Sequence, residues 1–187
     1  MTPLEIAASL ITVVNVWLTT KENIWCWPTG LVSAVLYAVV FWQARLYASA
    51  GLQVVFFILT VYGWYEWLYG GKDHTELHVI RTPRRWWPAL MVTAVVLTFA
   101  IGRILVANGG AFPYYDASIL GFSIVAQWMM ARKLLENWWL WIAVNVMSVA
   151  VYGFSSLGAT TALYLVLIFL AWKGLVDWRK SVQSASA

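Results

Sequence analysis

The chain has 187 residues, of which 62% are hydrophobic and 11% are charged, with a net charge of +4. Soluble domains carry about 25% charged residues, so this composition excludes a soluble globular domain. The 14 tryptophans and 9 tyrosines predict a membrane protein, because these amphipathic aromatic side chains favour the membrane interface.

Seven apolar segments lie between the charged clusters, and each approaches the roughly 20 residues that a helix needs to cross a bilayer. In chain order the predicted spans cover residues 4–20, 27–44, 50–69, 86–106, 114–131, 137–155 and 159–178. The first is not interpreted as a removable signal peptide, because no basic segment precedes it and no small-residue cleavage pattern follows. We predict an all-α membrane protein with seven transmembrane helices.

The basic residues predict the orientation. One side of the membrane would carry the connections after spans one, three and five together with the C-terminus. Ten of the twelve Lys and Arg residues fall on that side, and only Arg45 and Arg103 fall on the other. Cytoplasmic loops are enriched in Lys and Arg, so we predict an external N-terminus and a cytoplasmic C-terminus. The ten are Lys21, Lys72, Arg81, Arg84, Arg85, Arg132, Lys133, Lys173, Arg179 and Lys180.

Signals for an enzyme, a metal site or a sensor are weak. Cys26 is the single cysteine, and His74 and His78 lie in a polar loop. No phosphate-binding loop, metalloprotease motif or nucleophile elbow occurs. A sensor would normally carry an output domain, whereas only the short stretch RKSVQSASA follows the last span. We predict no catalytic role, no cofactor and no nucleic-acid partner.

Two parts of the chain resemble each other. ENIWCWPTGLVSAVLY begins at Glu22 and ENWWLWIAVNVMSVAVY begins at Glu136, and both contain Ser and Tyr four residues apart. LQVVFFILTVYGWYEW, from Leu52, aligns with LYLVLIFLAWKGLVDW, from Leu163. We predict a first three-helix repeat in 1–70, a cytoplasmic loop and connector helix in 71–113, a second repeat in 114–180 and a cytoplasmic tail in 181–187.

The connector has a consequence for symmetry. Two directly duplicated units of three spans would face opposite ways, and a single connecting span restores the same orientation. This predicts a 3+1+3 arrangement of parallel repeats, with a substrate site between them as in other transporters. In this alignment Gly30 falls opposite Asn145, so the halves are not chemically equivalent.

Polar residues share one face of span six at 3.6 residues per turn, while Leu140 and Val144 are predicted to face lipid. That polar face holds Trp138, Trp141, Asn145, Ser148 and Tyr152. Span two repeats the design with Trp27, Gly30, Ser33 and Tyr37. Spans three, five and seven add the polar groups of Gln53, Gln127 and Tyr164.

Two accounts explain these buried amides. Asn145 and Gln127 could hydrogen-bond between helices, contributing about 0.6 kcal/mol each to the bundle, or they could line a cavity and bind a ligand. The neighbouring tryptophan and tyrosine residues favour the cavity. Trp138 and Trp139 lie near the predicted cytoplasmic edge and are interpreted as interfacial anchors.

No ionisable residue lies at mid-depth in a predicted span. Proton- and sodium-coupled carriers usually need such groups, although backbone carbonyls at a helix broken near Pro28 and Gly30 stay open as an ion site. Aromatic walls and neutral amides suit a flat ring, either neutral or cationic, because rings stack on aromatic faces and a cation over such a face gains about 0.5–2 kcal/mol. The interior therefore predicts an uncoupled carrier of such a ring.

Three stretches closely resemble the Pnu family of bacterial vitamin transporters, best known as nicotinamide riboside transporters. They are WCWPTGLVSAVLYAVVF, LYASAGLQVVFFILTVYGWYEW and ARKLLENWWLWIAVNVMSVAVY. The resemblance runs from Asn15 to Trp178. It implies seven helices in the 3+1+3 arrangement of SWEET sugar transporters, a trimer by analogy with related transporters, and a bacterial inner-membrane location.

The resemblance also implies a function and a site. It implies facilitated diffusion of an unphosphorylated vitamin that a cytoplasmic kinase then traps, without necessary contact with the transporter. Nicotinamide riboside is the first choice and thiamine the runner-up, while riboflavin and deoxynucleosides are further substrates within the family. The pocket residues it implies are Trp141, Asn145, Gln53, Gln127 and Tyr164.

Overall fold

The computed structural model describes residues 3–43, 47–109, 112–154 and 158–184, except for the side chains of 47–49, 151–154 and 158–160. In these ranges the chain forms seven α-helices, which confirms the predicted all-α architecture. They are α1 (Pro3–Thr20), α2 (Cys26–Gln43), α3 (Tyr47–Tyr69), α4 (Trp87–Ala107), α5 (Pro113–Ala131), α6 (Asn137–Phe154) and α7 (Gly158–Ser184). Each overlaps a predicted span, and α7 continues six residues further than predicted.

Four segments within the described ranges are long and apolar enough to cross a bilayer: Pro3–Thr20, Cys26–Gln43, Arg84–Ala107 and Thr161–Ser184. They correspond to α1, α2, α4 and most of α7. The crossing of the membrane by all seven helices stays a prediction. Helix α2 runs without interruption through Pro28 and Gly30, because a proline in the first helical turn removes no intrahelical hydrogen bond. It therefore presents no broken segment whose carbonyls could bind an ion.

The helices form two groups of three. Helices α1, α2 and α3 pack in sequence, as do α5, α6 and α7, and α4 packs mainly on α5. The first group meets the second where α1 packs on α7 and where α3 packs on α5.

A close glycine–tryptophan contact occurs once in each group. A Cβ atom on Gly63 would lie 2.1 Å from the Trp27 ring, and one on Gly174 would lie 2.4 Å from the Trp138 ring. Both distances are far shorter than a van der Waals contact, so only glycine lets these indoles lie flat against α3 and α7. The two tryptophans thereby take equivalent places in α2 and α6.

Two contacts between the groups are also equivalent, and their residues are related by a spacing of 111 positions. The Trp67 indole nitrogen donates to the Met130 carbonyl at 3.1 Å, and the Trp178 indole nitrogen donates to the Thr19 carbonyl, also at 3.1 Å. In both bonds the third helix of one group caps the end of the first helix of the other. Met130 lies 111 positions after Thr19, and Trp178 lies 111 positions after Trp67. Lys133, which donates to Glu22, also lies 111 positions after it.

This spacing differs from the register in which the Glu-Asn motifs align. At a separation of 111 the counterpart of Trp27 is Trp138, and Asn145 corresponds to Ala34 rather than to Gly30. The motif alignment placed Glu22 opposite Glu136, but α2 begins at Cys26 and α6 at Asn137. Helix starts and packing contacts therefore give a different correspondence from motif identity.

The predicted lipid face of α6 is wrong at two positions. Val144 is only 3% exposed, and Leu140 packs on a cluster that α4 and α5 form around Leu90 and Met129. Helix α6 lies between α5 and α7, so two of its sides are covered. The outward face instead carries residues such as Trp139 and Val146, which are 44% and 52% exposed.

Candidate functional site

A cavity of about 190 Å³ lies between the two helix groups. All the described residues that line it are neutral amides, hydroxyls, indoles or apolar residues, with one thiol and without any Asp, Glu, Lys, Arg or His. They are Thr12, Asn15, Val16, Thr19, Cys26, Trp27, Gly30, Ser33, Ala34, Gln53, Phe56, Thr60, Gln127, Met130, Trp138, Trp141, Asn145, Leu167 and Ala171. The cavity suits a small neutral or cationic molecule with polar groups.

Three of the predicted amides meet in this cavity. Gln53 from α3, Gln127 from α5 and Asn145 from α6 all line it. Asn145 is only 5% exposed, yet within the described part of the chain no side-chain hydrogen bond joins any of the three amides to the protein. The helix-joining account requires such bonds between helices. Because a buried amide without a partner costs about 1–3 kcal/mol, the arrangement favours the ligand-binding account.

Three indole N–H groups add unpaired donors. The Nε1 atoms of Trp27, Trp138 and Trp141 are buried and have no hydrogen-bond partner among the described residues, and all three side chains line the cavity. Buried Trp N–H groups usually find an acceptor. The indole rings, rather than these buried nitrogen atoms, give the cavity aromatic walls against which a flat ligand can pack.

Asn15 of α1 supplies an oriented acceptor that the site prediction left out. Its Nδ2 donates to the Cys26 carbonyl and, at 3.4 Å, to the Thr29 hydroxyl. A carbonyl oxygen can only accept, so this contact fixes which end of the amide is the nitrogen. The Asn15 Oδ1 atom has no partner among the described residues and is available to a donor on a ligand.

Three further predicted site residues, Tyr37, Ser148 and Tyr164, lie apart from the lining. The Ser148 hydroxyl is fully buried and donates to the Val144 carbonyl of its own helix at 2.9 Å. The Tyr37 hydroxyl lies 3.3 Å from Ser9 Oγ, and its ring stacks on Phe41. Tyr164 is half-buried on α7 and does not line the cavity. The side chain of Tyr152 lies outside the described residues.

The two adjacent tryptophans at the start of α6 have different surroundings. Trp139 is 44% exposed and packs edge-on against Trp172, as an interfacial anchor would. Trp138 is only 1% exposed and lines the cavity, so its interpretation as an anchor is wrong. Gly174 makes the room for it, and that contact between helices is invisible in the sequence of α6 alone.

Sequence reasoning also missed a polar stripe on α1. Thr12, Asn15 and Thr19 line the cavity, and they recur every three or four residues along the helix. That spacing places them on one face, which is the signal that could have found them. The Thr12 and Ser33 hydroxyls lie 2.7 Å apart and join α1 to α2 within the same lining.

Comparison with known proteins agrees with this geometry. The family described as "Nicotinamide mononucleotide transporter" matches residues 2–180. The chain belongs to this family. The match confirms the resemblance to the Pnu transporters, and with the four apolar helices it supports a bacterial inner-membrane protein.

Individual relatives are similar over most of their length. The nicotinamide riboside transporter PnuC of Escherichia coli (strain K12) is 30% identical, with 96% of this chain and 86% of the relative aligned. The riboflavin/roseoflavin transporter RibM of Streptomyces davaonensis is 25% identical over 93% of this chain and 83% of its own. The crystal structure of the vitamin B3 transporter PnuC superposes with a TM-score of 0.79 at 25% identity, covering 97% of this chain and 82% of the other.

Proposed function

We propose that this protein carries nicotinamide riboside across the bacterial inner membrane. The observation that carries the proposal is the cavity between the two helix groups, where three amides meet three tryptophan side chains and no charged side chain lines the described wall. The relative from Escherichia coli, 86% of whose length aligns with this chain, is named as a nicotinamide riboside transporter. The relatives are named as transporters, which agrees with a non-enzymatic role.

The chemistry of nicotinamide riboside fits the lining. Its pyridinium ring is flat and positively charged, and tryptophan faces attract such a cation. Its carboxamide and ribose hydroxyls can pair with the amides of Gln53, Gln127 and Asn145. The three amides would thereby gain hydrogen-bond partners that the described protein residues do not give them.

The same lining disfavours the phosphorylated form that the family description names. Proteins hold phosphate with Arg or Lys, whose hydrogen bonds to phosphate are charge-assisted. The described cavity wall has neither, and an unpaired charge in such a site costs several kcal/mol. The proposed substrate is therefore the nucleoside rather than the mononucleotide.

Riboflavin is the second candidate, because the relative RibM is named for riboflavin and roseoflavin. Thiamine, the runner-up from the sequence, gains no support from the relatives reported above. Riboflavin and thiamine both have ring systems that would contact the same indoles.

Binding to the purified protein tests the substrate. We expect radiolabelled nicotinamide riboside to bind and to be displaced by the unlabelled nucleoside. The mononucleotide should compete roughly a hundredfold less well, since its phosphate finds no cation. Displacement by riboflavin or thiamine at lower concentration than by nicotinamide riboside would reassign the substrate. Equal competition by the mononucleotide would contradict the inference from the uncharged wall.

We further propose that the two helix groups are parallel repeats in the 3+1+3 arrangement of SWEET transporters, with α4 as connector. The matched contacts at a spacing of 111 residues support this.

Transport would be facilitated diffusion, with a cytoplasmic kinase trapping the vitamin as a phosphate. The cavity residues proposed to bind substrate are those that the lining brings together, with Trp141 and Asn145 at their centre. A trimer is the proposed assembly by family resemblance.

We also propose an external N-terminus and a cytoplasmic C-terminus, from the excess of Lys and Arg on one side. A reporter that is active only outside the cytoplasm, fused after Ala187, should give no signal. The same reporter fused before the first residue should be active. A strong signal from the C-terminal fusion would contradict this orientation.

A further inference from the structure

The cavity ends on a layer of four buried tryptophans. Trp27 and Trp138 line the cavity, and Trp67 and Trp178 lie behind them. Trp27 meets Trp67 edge-on at 5.2 Å between ring centroids, and Trp138 meets Trp178 edge-on at 5.3 Å. Trp67 and Trp178 are 5.9 Å apart, so the layer is continuous from one helix group to the other. No side chain in this layer is more than 3% exposed.

Three ion pairs surround this layer on its far side. Lys133 pairs with Glu22 at 3.0 Å, Arg132 with Glu66 at 2.9 Å and Lys21 with Asp177 at 3.4 Å. Every pair joins one helix group to the other. Lys133 is only 7% exposed, and its ammonium group also lies 4.4 Å from the centre of the Trp67 ring.

Hydrogen bonds and ion pairs join the two groups at this end of the bundle. Besides the ion pairs they are the two indole bonds to the ends of α1 and α5, the bond from Arg132 to the Tyr62 hydroxyl, and the bond from Ser181 to Glu22. Toward the other end, the contact between Thr12 and Ser33 and the one between Tyr115 and Met147 each lie within one group. The groups are therefore tied together beneath the cavity.

A strap from the connection after α3 reinforces one side of this closure. We define the strap as residues 77–82. Ile80 accepts from the Leu135 N–H at 2.8 Å and donates to the Lys133 carbonyl at 3.1 Å, and the Thr82 N–H donates to Glu136 Oε2 at 2.6 Å. Val79, 5% exposed, packs into the same cluster as the four tryptophans. The strap thus holds the turn between α5 and α6 against the end of α3.

We propose that the tryptophan layer, its ion pairs and the strap form a gate at the predicted cytoplasmic end of the cavity, closed in this structure, which opens to release substrate. The proposal rests on the transport function proposed above. A carrier has to open this end without unfolding, and the contacts suit that task. Lys21 and Arg132 have side chains 48% and 34% exposed, so water replaces their partners when the gate opens, and exposed ion pairs are individually weak.

Cys26 offers a probe of the gate that needs no substrate. It is the single cysteine of the chain, is 2% exposed and lines the cavity directly beside Trp27. A bulky, membrane-impermeant thiol reagent on the cytoplasmic side can reach it only when the gate opens. The labelling rate in inverted membrane vesicles therefore reports the open population.

The test compares charge reversals with their combination. Glu22→Lys and Lys133→Glu each place like charges at the centre of the gate, and we expect the cytoplasmic labelling rate of Cys26 to rise about fivefold or more. The double variant, in which the two charges are exchanged, restores the pair and should label nearly as slowly as the wild type. Lys21→Glu, at an exposed site, repels Asp177 and should act in the same direction. Val79→Ala should act likewise, because it weakens the anchor of the strap.

Controls separate opening from misfolding. Cys26→Ser should show no labelling, and Leu165→Ala, on an exposed face of α7, should label at the wild-type rate. Variants that label faster should keep the thermal midpoint within a few degrees of the wild type. Folded variants with unchanged labelling, or a double variant as reactive as the single ones, would overturn the gate. Failure of the wild type to bind nicotinamide riboside would instead refute the proposed function, because the labelling assay contains no substrate.

Discussion

Replacing Asn145 with leucine should abolish vitamin uptake while leaving the protein folded. Leucine has the same branched shape and the same number of heavy atoms, so the packing of α6 changes little. Within the described part of the chain the Asn145 amide makes no hydrogen bond to another helix, and it lines the cavity at 5% exposure. The substitution therefore removes a ligand-binding group and leaves no protein partner unsatisfied.

The magnitude follows from the desolvation of the ligand. A polar group of the vitamin that loses its partner in the closed cavity costs about 1–3 kcal/mol, which reduces affinity roughly 5- to 150-fold. The measurements are uptake in cells, binding to the purified variant and its thermal midpoint. Val146→Leu is the matched control, since Val146 lies on the same helix but is 52% exposed on its outer face. Loss of thermal stability with unchanged affinity would support the helix-joining role instead.

Nicotinamide riboside should reach equal concentrations on both sides of a membrane that contains only this protein. Coupled transport needs a group that binds the driving ion within the membrane. The described cavity wall carries no carboxylate or histidine, and α2 runs unbroken past Pro28 and Gly30, so it exposes no coordinating carbonyls there. We expect equilibration whatever the proton or sodium gradient.

Proteoliposomes with a defined internal concentration of the vitamin test this directly. Imposed proton and sodium gradients should change neither the direction nor the end point of net movement. Co-encapsulated kinase with ATP should raise the total internal vitamin severalfold, because it removes the free nucleoside. Accumulation well above the external concentration without a kinase, driven by either gradient, would refute uncoupled transport.

The sequence by itself determined the membrane environment, the seven helices and the chemistry of the interior. Apolar length and charge placement are properties of each segment alone, and they predicted helix boundaries within a few residues apart from the C-terminal end of α7. Helical periodicity placed Trp141 and Asn145 on one face of α6, and both line the cavity. Local geometry is enough for such statements, because residues three or four apart on a helix share a face whatever surrounds it.

Only the tertiary structure decided which of these faces meet. Periodicity fixes a face but not the rotation of one helix against the next, so it placed Tyr37 and Ser148 with the cavity, whereas their hydroxyls contact Ser9 and Val144. The buried position of Trp138 depends on Gly174 of another helix. The pairing of Glu22 with Lys133, 111 residues apart, depends on how α1 and α7 pack together with α3 and α5. Contacts between distant segments are set by side-chain fit and by the pairing of buried polar groups, and neither is encoded in any one segment.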